Sequence, residues 1–400
     1  MTHRPLRIAH LADSHLGYRA LGRSCPETGR NQRSVDIERS FMAAIDDILR
    51  RDVDLILHAG DLFHHTRPSW STLRCFVRTM RRVEAAGIPT IIIGGNHDTP
   101  RLRTTGSVFG LLELALPGMT FEAGYEIVEF PFKEQTLTVH AVPHGSLTGP
   151  VPPSPLPDTR HRNVLVTHGL TPGAQVLGRM GNEPGETVLA ADLLAHDLDY
   201  VALGHFHIAG DQGRNAWYAG STERIGWGDE LVKPGYLIVT LGDPGAVPEI
   251  EVIPIESARP MKSLHPITGE DRTPEELADT ILDRLRALDM PNAMTRIELR
   301  DTTRPVRREV ESLVQRQAGE LVWSIRVYAA SDVRALFNQP VGDQPIADLD
   351  TLFRDFVDQR ERDLTYDPVF ATAFRERGTA AIHEAQVQAE ESAAAAETAA

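Results

Sequence analysis

The chain has 400 residues and a formal net charge of -15, and 41% of its residues are hydrophobic. This length and composition are typical of a globular protein with two or three cores, and the charge argues against a surface that attracts nucleic acid over its whole area. A local basic or metal-charged groove is still compatible with that charge.

The two cysteines, Cys25 and Cys75, are too few for a disulfide framework or a cysteine-rich zinc site, which favours a reducing compartment. A strand-like run begins at Leu6 without a charged and then apolar leader, and we find no long apolar segment. We therefore expect a cytoplasmic protein without a membrane span.

The first third of the chain predicts three strands that alternate with two helices. The predicted strands cover residues 6–12, 54–59 and 90–93. Apolar residues recur at helical spacing between them, over residues 37–48 and 73–83. This order predicts parallel strands with right-handed crossovers, so their carboxyl ends share one edge, where open α/β sheets bind ligands.

Polar residues follow each of these strands. They are Asp13 and His15, then Asp61 and His64, then the run Gly95-Asn96-His97-Asp98. Taken singly, Asp13, Asp61 and Asn96 are typical of turns and helix caps. Taken together, at one predicted sheet edge, they indicate a binding site.

From about residue 121 the pattern changes to shorter strands without long helices between them. The predicted strands here are 137–142, 163–167, 200–203, 217–221 and 236–240, and the domain should end near residue 255. His168 follows one of these strands, and His205 and His207 follow another. We therefore predict an α/β fold with two packed sheets flanked by helices.

Residues 261–328 predict a separate small α/β unit, with strands at 297–299 and 321–327 and a second helix starting near Pro305. Its first helix should start at Thr273, because Pro274 and Glu276 complete a capping box.

Beyond this unit, residues 348–360 and 368–388 predict two amphipathic helices rich in Phe and Leu. This pair either binds a partner or packs on its own domain. A low-complexity Ala- and Glu-rich tail ends the chain.

The polar residues supply enough donors for two adjacent metal ions. The seven candidate ligands are Asp13, His15, Asp61, Asn96, His168, His205 and His207. Carboxylate, imidazole and amide oxygen together suit Mn²⁺, Fe²⁺ or Zn²⁺, and an Asp in the middle of the set can bridge both ions. Two cations about 3.5–4 Å apart can share a hydroxide nucleophile and stabilise an in-line phosphoryl displacement. His97 is then a candidate general acid, with Asp98 fixing its tautomer or orientation.

In this order, the blocks resemble the calcineurin-like metallophosphoesterase superfamily. The blocks are Asp13-x-His15, Gly60-Asp61, Gly95-Asn96-His97-Asp98, His168 and Gly204-His205-x-His207. The run from Gly60 to His64, with Arg67-Pro68-Ser69 after it, resembles the SbcD branch, the bacterial counterpart of the meiotic-recombination DNA nuclease. The proline-rich loop over residues 143–162 and the acidic tail have no counterpart that we can match.

The resemblance implies two Mn²⁺ ions, with Mg²⁺ or another divalent ion as the alternative. One ion would be held by Asp13, His15, Asp61 and His207, and the other by Asp61, Asn96, His168 and His205. His97 would protonate the leaving sugar oxygen, and His64 would assist at the phosphate. Arg67, Arg101 and Arg103 are candidates for phosphate contacts, which position a DNA backbone without reading its sequence.

The resemblance also implies a domain plan and partners. A dimetal nuclease domain would occupy residues 1–255 and a capping domain that limits DNA access residues 256–335. A helical pair at 345–388 would bind the SMC-like ATPase SbcC, and the low-complexity tail would be 389–400. The implied protein is a homodimer within a heterotetramer, associated with the nucleoid in the cytoplasm, and it acts in DNA repair and recombination on double-strand ends and hairpins.

Two other functions are compatible with the same residues. One is a phosphodiesterase or phosphatase for small molecules, which would need neither the extra domain nor the helical pair. The other is a scaffold in a repair complex that retains metals without activity, which the full set of seven ligands disfavours.

Overall fold

A computed structural model describes residues 5–100, 106–132, 135–148, 153, 155, 157, 161–172, 187–191, 193–194, 198–329, 353–354, 357–358, 369, 372–380 and 383. The chain divides into two units, residues 1–329 and 330–400. No helix among the described residues combines the length and apolar character that crossing a bilayer requires.

Strands and helices alternate at the start of the first unit, and a run of strands follows from Thr120 onwards. The strands are β1 (Leu6–Leu11), β2 (Leu55–His58), β3 (Thr90–Ile93), β4 (Thr120–Glu122), β5 (Glu126–Phe132), β6 (Gln135–Val142), β7 (Arg162–His168), β8 (Tyr200–Gly204), β9 (Gly210–Asp211), β10 (Ala216–Tyr218), β11 (Gly235–Leu241), β12 (Glu249–Pro254), β13 (Met261–Thr268), β14 (Met294–Arg300) and β15 (Ser324–Tyr328). The helices are α1 (Gln32–Ile48), α2 (Trp70–Ala85), α3 (Phe109–Ala115), α4 (His144–Leu147), α5 (Pro274–Leu288) and α6 (Arg304–Gln317).

The first sheet has the strand order β12-β11-β1-β2-β3-β4. In it, β1 to β4 are mutually parallel, as the βαβαβ pattern predicts, and β11 runs antiparallel to β1. Alternate side chains of the strands face opposite sides. Leu11 packs with Phe41 and Phe76 of the helices, whereas Ile8 and Leu57 face the second sheet.

The second sheet has the strand order β5-β6-β7-β8-β10-β9. Strands β6, β7, β8 and β10 are mutually parallel, and the edge strand β5 is antiparallel to β6. Val139, Val164 and Ala202 pack against the first sheet. The two sheets therefore form a sandwich, with α1 and α2 covering the outer face of the first sheet, and the predicted fold class is confirmed.

Three of the strands that the sequence did not predict, β4, β5 and β12, lie at the margins of the sheets. β5 contains Pro131, which lacks a backbone N–H and is tolerated because this strand is at an edge. β4 has only three residues, and β12 exposes most of its side chains, so neither shows a clear hydrophobic alternation.

A small sheet of three parallel strands, β13-β14-β15, follows and is covered by α5 and α6. The predicted capping box is confirmed, since the Thr273 hydroxyl accepts from the Glu276 N–H and the Glu276 carboxylate accepts from the Thr273 N–H. The predicted strand 321–327 is wrong at its start. Residues 318–320 form a helical turn, and β15 begins only at Ser324.

In the second unit, the described residues include a helical stretch at 372–380. Two contacts join this stretch to earlier residues of the unit. The ring centroids of Phe353 and Phe374 lie 5.4 Å apart, and Arg375 donates to Asp358 at 2.7 Å. Most residues of the predicted helical pair, the tail 389–400 and much of the proline-rich loop lie outside the described residues.

Candidate metal centre

The carboxyl ends of strands from both sheets meet at one edge of the sandwich. The loops after β1 and β2 are tied together there, because the Asp13 N–H donates to the Gly60 carbonyl at 3.0 Å and the His15 N–H donates to the Asp61 carbonyl at 2.9 Å. β7 and β8 are parallel neighbours, and they bring His168 and His205 to the same edge. The predicted convergence of the strand ends is therefore confirmed.

Four of the seven candidate ligands adopt left-handed backbone conformations. The φ angles are +51° at Asp13, +44° at His15, +53° at Asp61 and +99° at His205. Such conformations cost about 1–3 kcal/mol each for residues with a side chain, and they concentrate at functional sites. All four residues lie just beyond the points where strands end.

Asp13, His15 and His207 form the first cluster. One ligand atom from each lies within 4.8 Å of the others. The Nε2 atoms of His15 and His207 are 3.2 Å apart. Both oxygens of Asp13 also accept from the His205 N–H, at 3.0 and 3.1 Å, which fixes the carboxylate.

Asp61, His168 and His205 form the second cluster, again with one ligand atom each within 4.8 Å. Asn96 completes it, because its Oδ1 lies 2.9 Å from His168 Nε2 and 3.2 Å from His205 Nδ1. The other ring nitrogen of His168, Nδ1, donates to the Ala59 carbonyl at 2.8 Å, so Nε2 is the atom available to an ion.

Asp61 lies between the two clusters. Its Oδ2 is 3.6 Å from His15 Nε2 and 3.5 Å from His168 Nε2. Its Oδ1 accepts from the His97 N–H at 2.9 Å, which holds the carboxylate in this orientation. One oxygen of Asp61 therefore faces both groups of histidines, which is the position a bridging ligand needs.

Burial and neighbouring charges shift the pKa values of several groups in this site. Burial raises the pKa of Asp13 to about 7. Burial acts to lower the pKa of His168, but the negative charge of Asp61 outweighs it and raises the pKa to about 9. Burial lowers the pKa of His205 to about 3 and that of His15 well below its usual value. The site therefore attracts positive charge while keeping two neutral imidazoles available.

The donor set fits divalent ions. It combines two carboxylates, one amide oxygen and four imidazoles, and all seven predicted ligands are brought together. This mixture suits borderline ions such as Mn²⁺, Fe²⁺ or Zn²⁺.

His97 and His64 lie beside the first cluster. The His97 Nδ1 is 2.9 Å from the His64 carbonyl oxygen, and the two rings stack with centroids 4.9 Å apart. The His64 Nδ1 is 3.3 Å from the Nδ1 of His15. Both rings are thus close to the ligands while remaining partly exposed.

The carboxylate of Asp98 binds backbone groups rather than the expected His97 ring. Its carboxylate is buried and accepts from the N–H groups of Leu62 and Phe63, each at 2.9 Å, and of Gly95 at 3.2 Å. The loops after β2 and β3 hold these backbone donors away from water, where they need an acceptor. The expectation that Asp98 orients His97 is therefore corrected, since the His64 carbonyl holds that ring.

Of the three candidate phosphate-binding arginines, one lies among the described residues. Arg67 is exposed in the loop that precedes α2. Arg101 and Arg103 lie outside the described residues.

Asp229 is a residue that the sequence interpretation missed. Its Oδ2 lies 3.0 Å from His207 Nδ1. Burial raises the pKa of Asp229, but the hydrogen bond and positive charge of His207 lower it to about 2. Burial correspondingly acts to lower the pKa of His207, but Asp229 raises it to about 9. No motif marks Asp229, because it follows Trp227 and Gly228 in a segment without a clear period.

Comparison with known proteins agrees with this geometry. Residues 6–209 match the model of the calcineurin-like phosphoesterase family. The DNA double-strand break repair protein Mre11 of Haloferax volcanii is 31% identical over 307 residues, which are 74% of this chain and 61% of that protein. The protein of the same name from Methanococcus maripaludis is 35% identical over 111 residues, which are 28% of each chain.

The chain thus covers less than two thirds of the length of these two relatives. Among solved structures, a dimetal phosphatase from Danio rerio is 12% identical, with a TM-score of 0.35 over 64% of this chain and all of that one. That likeness is too slight to add to the argument. Because the family match spans more than half of the residues and contains all seven candidate ligands, the chain belongs to the calcineurin-like phosphoesterase family.

Proposed function

We propose that the protein is a Mn²⁺-dependent DNA nuclease subunit of the SbcD type, which hydrolyses phosphodiesters at double-strand ends and hairpins together with the SMC-like ATPase SbcC. Membership of the phosphoesterase family supports the reaction class, and relatives named as double-strand break repair proteins support DNA as the substrate. Mg²⁺ or another divalent ion is the alternative cofactor.

The observation that carries the proposal is the position of Asp61. One of its oxygens lies 3.6 Å from a nitrogen of His15 and 3.5 Å from a nitrogen of His168. Asp13, His15, Asp61 and His207 would hold one ion, and Asp61, Asn96, His168 and His205 the other. When bound, such an ion pair supplies an activated water as nucleophile and neutralises charge on the phosphate.

His97 would act as the general acid. Its Nδ1 proton is donated to the His64 carbonyl, so in the imidazolium form Nε2 carries the second proton. That proton would pass to the sugar oxygen as the P–O bond breaks. The ring of His64, stacked on His97, would assist at the phosphate. Arg67, Arg101 and Arg103 would contact neighbouring phosphates along the DNA.

The remaining segments would control which DNA is cut. Residues 256–335 would form a capping domain beside the nuclease domain of residues 1–255. The segment 345–388 would bind SbcC, and the complex would be a heterotetramer around a homodimer of this chain. A role in repair and recombination would place it at the nucleoid.

The test compares the purified protein with its His97→Ala variant on linear duplex, hairpin-ended DNA and small phosphodiesters, in Mn²⁺ and in Mg²⁺, with and without the ATPase. We expect Mn²⁺-dependent cleavage of DNA by the wild type. Cleavage of small diesters with DNA left intact under all these conditions would overturn the nuclease proposal in favour of a small-molecule phosphodiesterase.

The partner proposal is tested separately by a chain that ends at Gln344. We expect it to bind two metal ions as the full chain does and to lose co-purification with the ATPase. If the shortened chain still co-purifies, the partner surface lies elsewhere.

A further inference from the structure

The loop over residues 225–230, called here the Asp229 loop, contacts the metal centre on one side. Asp229 is 3% exposed, and its Oδ2 lies 3.0 Å from His207 Nδ1. The same oxygen accepts from the N–H of Ile225 at 2.8 Å and from that of Gly226 at 3.3 Å. Two backbone N–H groups of its own loop thus hold the carboxylate, independently of the histidine.

This hydrogen bond determines which nitrogen of His207 can bind an ion. With Nδ1 donating to Asp229, the lone pair of the neutral ring is on Nε2. Nε2 is the atom that lies 3.2 Å from His15 Nε2 in the first cluster. A carboxylate behind a metal-bound histidine fixes the ring and raises its basicity.

On its other side, the Asp229 loop contacts the small sheet. The Glu230 carboxylate accepts from the N–H of Ser263 at 2.8 Å and from its hydroxyl. Ser263 lies on β13 and is paired in register with Arg296 on β14. Arg296 donates to the Ser263 hydroxyl at 2.7 Å, and its guanidinium lies 4.6 Å from the centre of the Trp227 ring.

We propose that the Asp229 loop couples the small sheet to the first metal cluster: Asp229 is a positioning residue for His207, and Glu230 and Trp227 anchor the same loop to the small sheet. The small sheet therefore regulates the affinity of that cluster for its ion. This inference rests on the proposed dimetal centre.

The second cluster provides an internal reference. The Nδ1 of His168 is held by the carbonyl of Ala59, which directly follows β2 in the first sheet. Its orientation depends on the sandwich rather than on the Asp229 loop. Changes in the loop should thus affect one ion and leave the other in place.

The experiment titrates Mn²⁺ into the metal-free full chain, followed by calorimetry and by electron paramagnetic resonance. We expect two ions and an exchange-coupled spectrum for the wild type. Asp229→Ala should weaken one site about 10–100-fold and give the spectrum of isolated Mn²⁺ at low occupancy, while the other site keeps its affinity. Asp229→Asn, whose amide oxygen can still accept the hydrogen bond, should recover part of the loss.

Glu230→Gln tests the anchor to the small sheet. We expect it to weaken the same site several-fold, because the contact with Ser263 loses its charge. Glu298→Gln is the matched control: Glu298 lies on β14 of the same sheet but pairs with Arg300 at 3.1 Å. This control should bind both ions as the wild type does.

Each result decides part of the inference. Wild-type affinity at both sites in Asp229→Ala, or equal weakening of both sites, would refute the positioning role. Equal behaviour of Glu230→Gln and Glu298→Gln would refute the coupling to the small sheet. If the alanine variant does not fold, as thermal unfolding in EDTA would show, the asparagine variant decides the positioning role: weakening confined to one site supports it, and any other result refutes it. A wild type that binds two ions but does not cut DNA would refute the nuclease proposal alone.

Discussion

The ring of His97 is held by the backbone of His64: its Nδ1 lies 2.9 Å from the His64 carbonyl oxygen. A backbone acceptor keeps its position whatever side chain residue 64 carries. The orientation of the proposed general acid therefore depends on the path of the loop after β2, and only the stacking of the two rings depends on the His64 side chain.

Replacing His97 should separate catalysis from metal binding. We expect His97→Ala to lower the rate of DNA cleavage by about 10²–10⁴-fold, because a general acid contributes a factor of that size. Metal analysis should still give two ions per chain, since the cluster ligands are unchanged. Loss of metal in this variant would instead make His97 a ligand or a structural residue.

Replacing Asp98 should affect stability. Asp98→Ala leaves three buried N–H groups, those of Leu62, Phe63 and Gly95, without their acceptor. Each such loss costs about 1–3 kcal/mol. Urea unfolding of the metal-free protein should show a clear loss of stability for Asp98→Ala and little change for His97→Ala. Equal stability of the two variants would contradict this role.

Gly95 should tolerate no side chain. A Cβ at this position would collide with the Oδ1 and the backbone nitrogen of Asp61, and the Oδ1 is held by the His97 N–H. We expect Gly95→Ala to displace the Asp61 carboxylate, which is the proposed bridging ligand, to weaken Mn²⁺ binding at both clusters and to abolish cleavage. Gly124→Ala is the control, because a Cβ there meets no atom within 4 Å. If both variants bind Mn²⁺ equally well, the close packing of Gly95 on Asp61 is not needed.

Metal binding should depend on pH between about 6.5 and 9. The pKa values of His168 and His207 are both raised to about 9, so in this range the folded metal-free protein holds protons that the unfolded chain has released. The stability of the metal-free protein should therefore fall as the pH rises, by at most about 1.4 kcal/mol per pH unit for each proton.

The ions must displace the same protons, so Mn²⁺ affinity should rise over this interval. The increase in unfolding temperature caused by Mn²⁺ should accordingly be larger at pH 9 than at pH 6.5. Calorimetry in buffers of different ionisation enthalpy would count the released protons. An affinity independent of pH would mean that these histidines are neutral before the ions bind.

Arg67 should contribute to DNA binding without sequence preference. We expect Arg67→Ala to weaken binding uniformly across sequences and to reduce the slope of log affinity against log salt by about 1. Arg50→Ala is the control. Arg50 is exposed, follows α1 in the loop that leads to β2, and pairs with Asp47 at 3.0 Å. An unchanged salt slope in Arg67→Ala would exclude a phosphate contact.

Much of the fold could be predicted because the hydrophobic periodicity and the helix-capping residues both mark the same helices and strands. In the first third, helical and strand periods alternate clearly, and Thr273 with Glu276 marks a helix start through local hydrogen bonds alone. β5 lacked such a signal. Its Pro131 argues against a strand unless the edge position is already known, and the edge position is a property of the whole sheet.

The seven candidate ligands could be predicted because parallel strands place their ends together. Asp98 and Asp229 could not be assigned in this way. The orientation of Asp98 follows from three backbone donors, and two of them, Leu62 and Phe63, lie in another loop. Asp229 meets His207 only because its loop folds back between the sandwich and the small sheet.

The left-handed backbone at Asp13, His15 and Asp61 also bears on how such a protein can change over time. Glycine adopts this conformation at lower energy than Asp or His. A descendant released from hydrolysis could therefore gain stability by replacing its own ligands, whereas an active lineage must keep them. Loss of activity in such a protein would be hard to reverse, because each stabilising replacement would remove one of the proposed metal ligands.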